Sequence, residues 1–284
     1  DRFVKDPFEE VKAECDGYIK KYYSCFPLLL QMALLLMNHY HLAEKPQEVM
    51  DEITELLDRI TEESKDIHLA KNAAMLKCGC HLMERQPEEI LDILGEEILP
   101  VSQEAEMQAQ AYQLRGNRDK ALQAVQISMY QHLLYLIGDA SMHIAWQQEE
   151  SAKTEEIIRR TLAVADIFHM DHLHFNTIVQ VYLASAQYYC ITANSEEAIK
   201  MLERYTDCVY MQETPIKLHG DDYFDKVDGW LSELALGKDA PRGDAAIRQS
   251  IYQAVEANPL FACLRDNPLY KRIMKRLEEY SRGV

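Results

Sequence analysis

The stretch AQAYQLRGNRDKA at residues 109–121 decides the fold, because AQYYCITANSEEA at residues 186–198 repeats its internal spacing. In both, an alanine is followed by a tyrosine three residues later, by a short polar turn, and by a second alanine twelve residues after the first. A small residue lets two helices approach where they cross, and the ring fills the adjacent groove. The spacing therefore predicts a helix pair that recurs along the chain.

The same spacing can be followed through five units. It places their first positions at Met37, Cys78, Ala109, Ala145 and Ala186, which are 41, 31, 36 and 41 residues apart. These offsets scatter about the roughly 34-residue period of tetratricopeptide repeats, which predicts helices of unequal length. The fourth unit would continue through Gln148. Polar turns are expected at residues 44–46, 85–87, 116–119 and 193–195.

The composition favours helices throughout. Gly and Pro are scarce, at 10 and 9 residues, which is typical of long helices and not of sheets. We predict an all-α chain, a tetratricopeptide-like right-handed superhelical solenoid of about five helix pairs with capping helices at both ends. Residues 1–26 would form an N-terminal cap, residues 27–210 the repeats and residues 211–284 a C-terminal helical cap. In that cap, helices are expected to begin near Asp221, Asn258 and Asn267.

Charge and cysteine usage indicate the class of protein. The formal net charge of −17 repels the phosphate backbone, so the chain should not bind DNA unaided. Seven cysteines, an odd number, fit reduced thiols in a cytoplasmic protein better than a disulfide framework. The longest apolar stretch is interrupted by Pro27 and Gln31, so neither a membrane span nor a signal peptide is expected.

Two segments carry a family resemblance. FPLLLQMALLLMN at residues 26–38 and NPLFACLRDNPLY at residues 258–270 resemble the regulatory half of bacterial helix-turn-helix regulators of the XRE class, common in Firmicutes. In that class, tetratricopeptide repeats follow an N-terminal DNA-binding domain. The resemblance implies a sensor and dimerisation module, which leaves a homodimer open, and contact with DNA only through a helix-turn-helix domain that this sequence lacks. Because the chain begins at Asp1 and not at Met, we expect it to be part of a longer protein.

A binding groove can be predicted from the repeat register. The first helix of each pair lines the concave surface of a tetratricopeptide array, and positions beside the small crossing residue point into it. These positions are rich in amides, which can donate and accept hydrogen bonds along an extended peptide or protein segment, and Trp146 would add a flat anchor. The predicted groove residues are Gln31, Asn38, Asn72, Gln103, Gln110, Gln113, Trp146, Gln180 and Gln187.

Two alternatives remain open for this groove. The amides could simply solvate an exposed helix face, and the chain could be a stand-alone adaptor that scaffolds protein–protein complexes without a small effector. An enzyme is not expected, nor a metal or cofactor, because each chemical motif has a structural explanation. The motifs considered are His169-x-x-His172-x-His174, with no recognised ligand spacing, the solvated pairs Glu88-Glu89 and Glu149-Glu150, and the small apolar pair Cys78 and Cys80.

Overall fold

The computed structural model describes residues 2–147, 149 and 152–283, so Gln148 and Glu150 lie outside the described residues. Helices make up 75% of the chain, which confirms the all-α prediction. The described residues form no strand, and their one isolated β-bridge pairs Lys217 with Asp239. Within these same ranges, no helix combines the length and the apolar character that crossing a membrane requires.

The chain divides into two compact units, residues 1–102 and 103–284. Residues 2–102 of unit 1, which the structure describes, contain five α-helices and two short 3-10 helices, Arg2–Val4 and Tyr40–Leu42. The α-helices of unit 1 are α1 (Phe8–Lys21), α2 (Phe26–His39), α3 (Pro46–Glu63), α4 (Ile67–Met83) and α5 (Pro87–Leu94). Helix α3 packs between α2 and α4. Its apolar positions recur every three or four residues, and Ile53, Leu57 and Ile60 are consequently buried on one face.

The described part of unit 2, residues 103–147, 149 and 152–283, contains nine α-helices and the 3-10 helix Pro259–Leu264. They are α6 (Glu104–Leu114), α7 (Arg118–Trp146), α8 (Ala152–Ile167), α9 (Met170–Leu173), α10 (Phe175–Ile191), α11 (Ser195–Tyr210), α12 (Asp228–Glu233), α13 (Asp244–Glu256) and α14 (Pro268–Arg282). Helix α10 is the centre of this unit, because it packs against both α7 and α11 and against the 3-10 helix. Small residues such as Ala184, Ser185 and Ala186 are buried where these helices cross.

Helices end and begin at all four turns that the sequence predicts. Three of these turns share one backbone conformation. The residue seven positions after the first residue of the repeat has a left-handed backbone in each turn. Its φ is +59° at Arg85, +74° at Gly116 and +58° at Ala193. The next backbone N–H then bonds back across the turn, for example from Asn117 to the carbonyl of Tyr112 at 2.9 Å. This is the six-to-one hydrogen bond of a Schellman helix end.

The same turns also start the following helix. The side chain of Asn117 accepts from the backbone N–H of Lys120, and that of Asn194 accepts from Glu197. Each asparagine therefore ends one helix through its backbone and caps the next through its side chain. Tyr112 and Tyr189 occupy equivalent places before these turns, so the local repeat read from the sequence is a property of the structure at α6–α7 and α10–α11.

Helix α7 departs from simple pairing. It runs without a break for 29 residues, from the turn after α6 to Trp146. The second helix of the third predicted repeat and the first helix of the fourth predicted repeat are therefore one continuous helix. No glycine or proline signal interrupts the sequence except Gly138, where a helix can tolerate glycine at a cost of about 1 kcal/mol. Ser128 of α7 donates to Glu106 of α6 at 2.5 Å, which fixes the two helices together.

The segment between α11 and α13 covers a flank of α7. Gln126 hydrogen-bonds to both Asp225 and the backbone N–H of Lys226. Phe224 inserts beside Tyr130, with ring centroids 5.6 Å apart in an edge-to-face arrangement. The prediction that a helix begins near Asp221 is wrong, since Asp221 instead caps a turn by accepting from two backbone N–H groups and α12 starts only at Asp228. The helical starts at Asn258 and Asn267 are confirmed, with both side chains accepting a backbone N–H.

Candidate functional site

The nine predicted groove residues fall into both units. Gln31, Asn38 and Asn72 belong to unit 1, and the other six belong to unit 2. Seven of the nine are exposed, while Asn38 and Gln187 are half-buried. The side-chain amide of Asn38 donates to the carbonyl of Leu34 in its own helix at 2.8 Å, so this donor is already used. Unit 2 thus carries most of the candidate surface.

Helix α7 exposes a row of large side chains along its second half. Tyr135, Asp139, Met142 and Trp146 are spaced three or four residues apart and therefore share one face of the helix. Tyr135 is 65% exposed, Met142 46% and Trp146 78%. We call these four residues the α7 row. Scattered single apolar residues are normal on protein surfaces, but large rings in register along one helix are typical of a contact surface.

Helix α10 exposes a second row, which is mostly amides. Asn176 and Gln180 are exposed, and Leu183 and Gln187 are half-buried. The spacing of four, three and four residues again places them on one face, and we call them the α10 row. The remaining circumference of α10 is buried against its neighbours, so this row is the side of the helix that a ligand can reach.

Helix α6 carries the other predicted amides. Gln103 precedes its first turn, and Gln110 and Gln113 are exposed along it. Met107 and Leu114 are exposed on the same helix at the spacing that places them beside Gln110. The helix buries only Ala109 against its partner. Helix α6 therefore mixes amides with exposed apolar side chains, as the α7 and α10 rows do together.

The side chains of the two rows offer mainly hydrogen bonds and apolar contact. Asp139 is the only carboxylate among the eight side chains, and amides provide hydrogen bonds in both directions without a charge. Tyr135 and Trp146 combine a large apolar surface with a polar atom at the edge, which suits a partner that is part apolar and part polar. Such a surface can hold a peptide backbone and bury one or two of its side chains.

The histidines near α9 do not come together as a metal site. His172 is exposed, whereas His174 is half-buried and its Nδ1 lies 2.8 Å from the hydroxyl of Thr177. Burial lowers the pKa of His174, and the nearby His219 adds to that shift, so the ring is neutral at pH 7. Among the residues that the structure describes, no group of three metal-ligating side chains is close enough to hold an ion.

The paired cysteines of α4 are packed in the core of unit 1. Cys78 and Cys80 are buried, and the thiol of Cys80 lies 3.7 Å from the sulfur of Met37. Burial raises the pKa of Cys80 to about 11, so its thiol is protonated at pH 7. These two residues therefore fill space, in agreement with the structural interpretation of the motif. Glu88 and Glu89 lie in the exposed first turn of α5, and Glu149 is also exposed.

A cavity of about 590 Å3 lies beside α9, where the segment after α11 turns back. Its volume is within the range of small-molecule sites. Its acidic and basic side chains are Glu213 and Lys217, whose opposite charges cancel. The Nζ of Lys217 also lies 3.3 Å from the Oδ1 of Asp239 in an ion pair. Its lining residues are His172, Met211, Gln212, Glu213, Thr214, Pro215, Ile216, Lys217 and His219. The cavity thus has one acidic and one basic side chain of opposite charge and favours no one ligand class, in contrast to the α7 and α10 rows.

Three residues of the α7 row, Tyr135, Asp139 and Met142, were not among the sequence candidates. Tyr135 and Met142 stand on the face of Trp146 only because α7 continues through residues 130–146 as one helix. The predicted groove positions in this part of the chain included Trp146 but neither Tyr135 nor Met142. Counting back from Trp146 in steps of three and four residues would have found both.

No protein-family model, curated protein or solved structure matches the chain significantly.

Proposed function

We propose that this protein is a helical-repeat binding module that holds an extended peptide or protein segment on the α7 and α10 rows of unit 2. The observation that carries the proposal is the α7 row, in which three large side chains stand exposed in register on one helix. Water contact with such rings is unfavourable by about 25 cal/mol per Å2 of apolar surface, so a partner that covers them gains free energy.

The α10 row supplies the complementary part of the proposal. Helix α10 packs directly against α7, and its accessible side presents Gln180 and Gln187. Amides can satisfy the N–H and C=O groups of a peptide backbone whatever its side chains, which gives affinity without selecting a charge. The net charge of −17 selects against strongly acidic segments. A neutral or basic segment with an aromatic or aliphatic anchor is therefore the expected ligand class.

A tetratricopeptide-like repeat is the architecture that we propose for the chain. The support is local: Arg85, Gly116 and Ala193 occupy the same left-handed position between paired helices. Helix pairs joined by one recurrent turn are what a tetratricopeptide array requires. The unbroken helix α7 is the departure from a regular array, and it is also what creates the α7 row.

The resemblance to XRE-class regulators suggests the biological setting. In that setting the module senses its ligand and passes the change to a helix-turn-helix domain, which makes the contact with DNA. We expect the chain alone not to bind duplex DNA at physiological salt, because it lacks the net positive charge that phosphate contacts require. Micromolar binding to duplex DNA with a steep salt dependence would contradict this expectation.

An adaptor function is the second candidate, favoured by a separate surface in unit 1. Leu91 and Leu94 of α5 are exposed, and so are Ile98, Leu99 and Val101 in the segment that follows. Five exposed aliphatic residues within eleven positions are more than solvation explains. An adaptor needs two docking surfaces on one chain, and unit 1 would supply the second.

Selection from a peptide library tests the proposed function. The α7 row spans about 17 Å at 1.5 Å per residue, which about five residues of extended peptide cover. Random displayed peptides of about ten residues are therefore long enough. Binders selected on the whole chain are then measured against a triple variant, Gln110→Ala, Trp146→Ala and Gln187→Ala. Loss of one buried aromatic anchor weakens binding by about 2 kcal/mol, or about 30-fold, and the triple variant should lose at least that.

A matched control separates the site from general surface effects. Gln249→Ala, Gln253→Ala and Leu269→Ala remove two glutamines and one apolar side chain that are exposed on α13 and α14. Binding should change less than about twofold in this control, since surface substitutions away from a contact have small effects. Equal affinity of the selected peptides for the wild type and the α6–α7–α10 triple variant would exclude the proposed site.

A further inference from the structure

Two cysteines from distant parts of the chain meet where the 3-10 helix Pro259–Leu264 packs on α10. Cys190 lies in the last turn of α10, against which the 3-10 helix with Cys263 packs, and the nearby thiol of Cys263 contributes to the raised pKa of Cys190. Cys190 packs against the same core cluster as Phe261 and Leu264, the residues that flank Cys263. The contact is therefore held by the packing of the two helices and not by a mobile surface chain.

The two thiols differ in access. Cys263 is exposed, and its sulfur donates to the carbonyl of Leu260 at 3.3 Å. Cys190 is half-buried, and burial together with Cys263 raises the pKa of its thiol to about 12. Cys190 is thus protonated and shielded in the resting protein, while the sulfur of Cys263 is open to reagents from solution. One exposed and one shielded thiol in contact is the arrangement of an attacking and a resolving cysteine.

We propose that Cys190 and Cys263 form a reversible dithiol–disulfide pair that responds to low-molecular-weight disulfides. The thiolate of Cys263 attacks one sulfur of the small disulfide RSSR, the S–S bond breaks, and RSH leaves after taking up a proton. Cys190 then gives its proton to solvent and attacks the sulfur of Cys263, which expels a second RSH. Two protein thiols are oxidised to one disulfide, and RSSR is reduced to two RSH.

The remaining cysteines set this pair apart. Cys15, Cys78, Cys80 and Cys208 are buried, and Cys25 is exposed in unit 1. The pair also lies three residues beyond Gln187, at the end of the α10 row. Oxidation would tie the C-terminal segment covalently to the helix that carries this row. The inference does not depend on what the row binds.

Thiol mapping after mild oxidation tests the proposal. The whole native chain is equilibrated with oxidised glutathione, alkylated, digested with trypsin and examined by mass spectrometry. Cys190 falls in peptide 161–200 and Cys263 in peptide 249–265, while Cys25 falls in peptide 22–59, so the three are resolved. The expected result is a cross-link between the first two peptides, with glutathione attached at Cys25. Dithiothreitol should restore both free thiols.

Single serine variants identify the order of events. Cys190→Ser should leave glutathione attached at Cys263 with no cross-link, and Cys263→Ser should leave Cys190 unmodified because it is shielded. Cys25→Ser is the control for an exposed thiol, and it should cross-link as the wild type does. Far-UV circular dichroism of each variant checks that the helices are retained. The proposal is overturned if wild-type Cys263 is recovered as the glutathione adduct to the same extent as in Cys190→Ser, or if both thiols stay reduced.

Discussion

Replacing Phe224 by alanine should detach the segment between α11 and α13 from α7. Phe224 is 1% exposed, and its ring contacts Tyr130 edge-to-face at 5.6 Å and Phe168 at 6.2 Å. Truncating a fully buried phenylalanine costs about 3–5 kcal/mol, and each aromatic pair adds about 0.5–1.5 kcal/mol beyond the buried area. We therefore expect a loss of about 4 kcal/mol in the free energy of unfolding of unit 2.

The neighbouring Tyr223 provides the matched control. It is 54% exposed although it lies next to Phe224 in the same segment. Tyr223→Ala should cost about 1 kcal/mol at most, as expected for a partly exposed ring. Urea titration gives the free energy of unfolding of each variant, and hydrogen exchange follows amides 218–234. If Phe224→Ala costs less than about 1 kcal/mol, or no more than Tyr223→Ala, then this segment does not pack on α7 as described.

Three further predictions concern single side chains of unit 2. Tyr130→Phe should be neutral or stabilising by up to about 1 kcal/mol in urea titration, because the buried hydroxyl has no hydrogen-bond partner among the described residues. Ala193→Gly should raise the free energy of unfolding by about 1 kcal/mol, and Gly116→Ala should lower it by about 1 kcal/mol, since both positions have positive φ. A change of the same sign in both variants would contradict this. Because burial lowers the pKa of His174, the unfolded chain binds more protons at this site, and stability should fall as the pH drops below about 6.5. His174→Gln should show a smaller loss between pH 7.5 and 5.5, and an unchanged loss would refute that assignment.

Local signals in the sequence predicted the helix boundaries well. The spacing around Tyr112 and Tyr189 identified two helix pairs with the same turn, since a repeated turn needs the same residues at the same positions. The Asn258 and Asn267 caps were equally clear, because a side-chain cap acts within three residues of the chain. Such information is local and can be read without knowing the fold.

Features that depend on distant contacts could not be read in this way. The sequence around residues 218–236 has helical spacing at Phe224 and Val227, yet the chain there is held by Gln126, about a hundred residues earlier. Tertiary contacts outweighed propensity at this place. Tyr135 and Met142 of the α7 row were missed for a similar reason, since nothing in the repeat spacing shows that two helices of neighbouring predicted repeats are joined into one. The meeting of Cys190 with Cys263 likewise depends on how the C-terminal segment folds back.

Mapping the position of a bound peptide tests the central claim most directly. A peptide selected on the whole chain is synthesised with a photo-reactive phenylalanine analogue in place of its aromatic or aliphatic anchor, and the cross-linked residues are located by mass spectrometry. Our account predicts cross-links within residues 135–146 of α7 and 176–187 of α10, and their loss in the presence of excess unlabelled peptide. Competed cross-links confined to other helices, such as α5 or α13, would contradict the claim that the α7 and α10 rows are the binding surface.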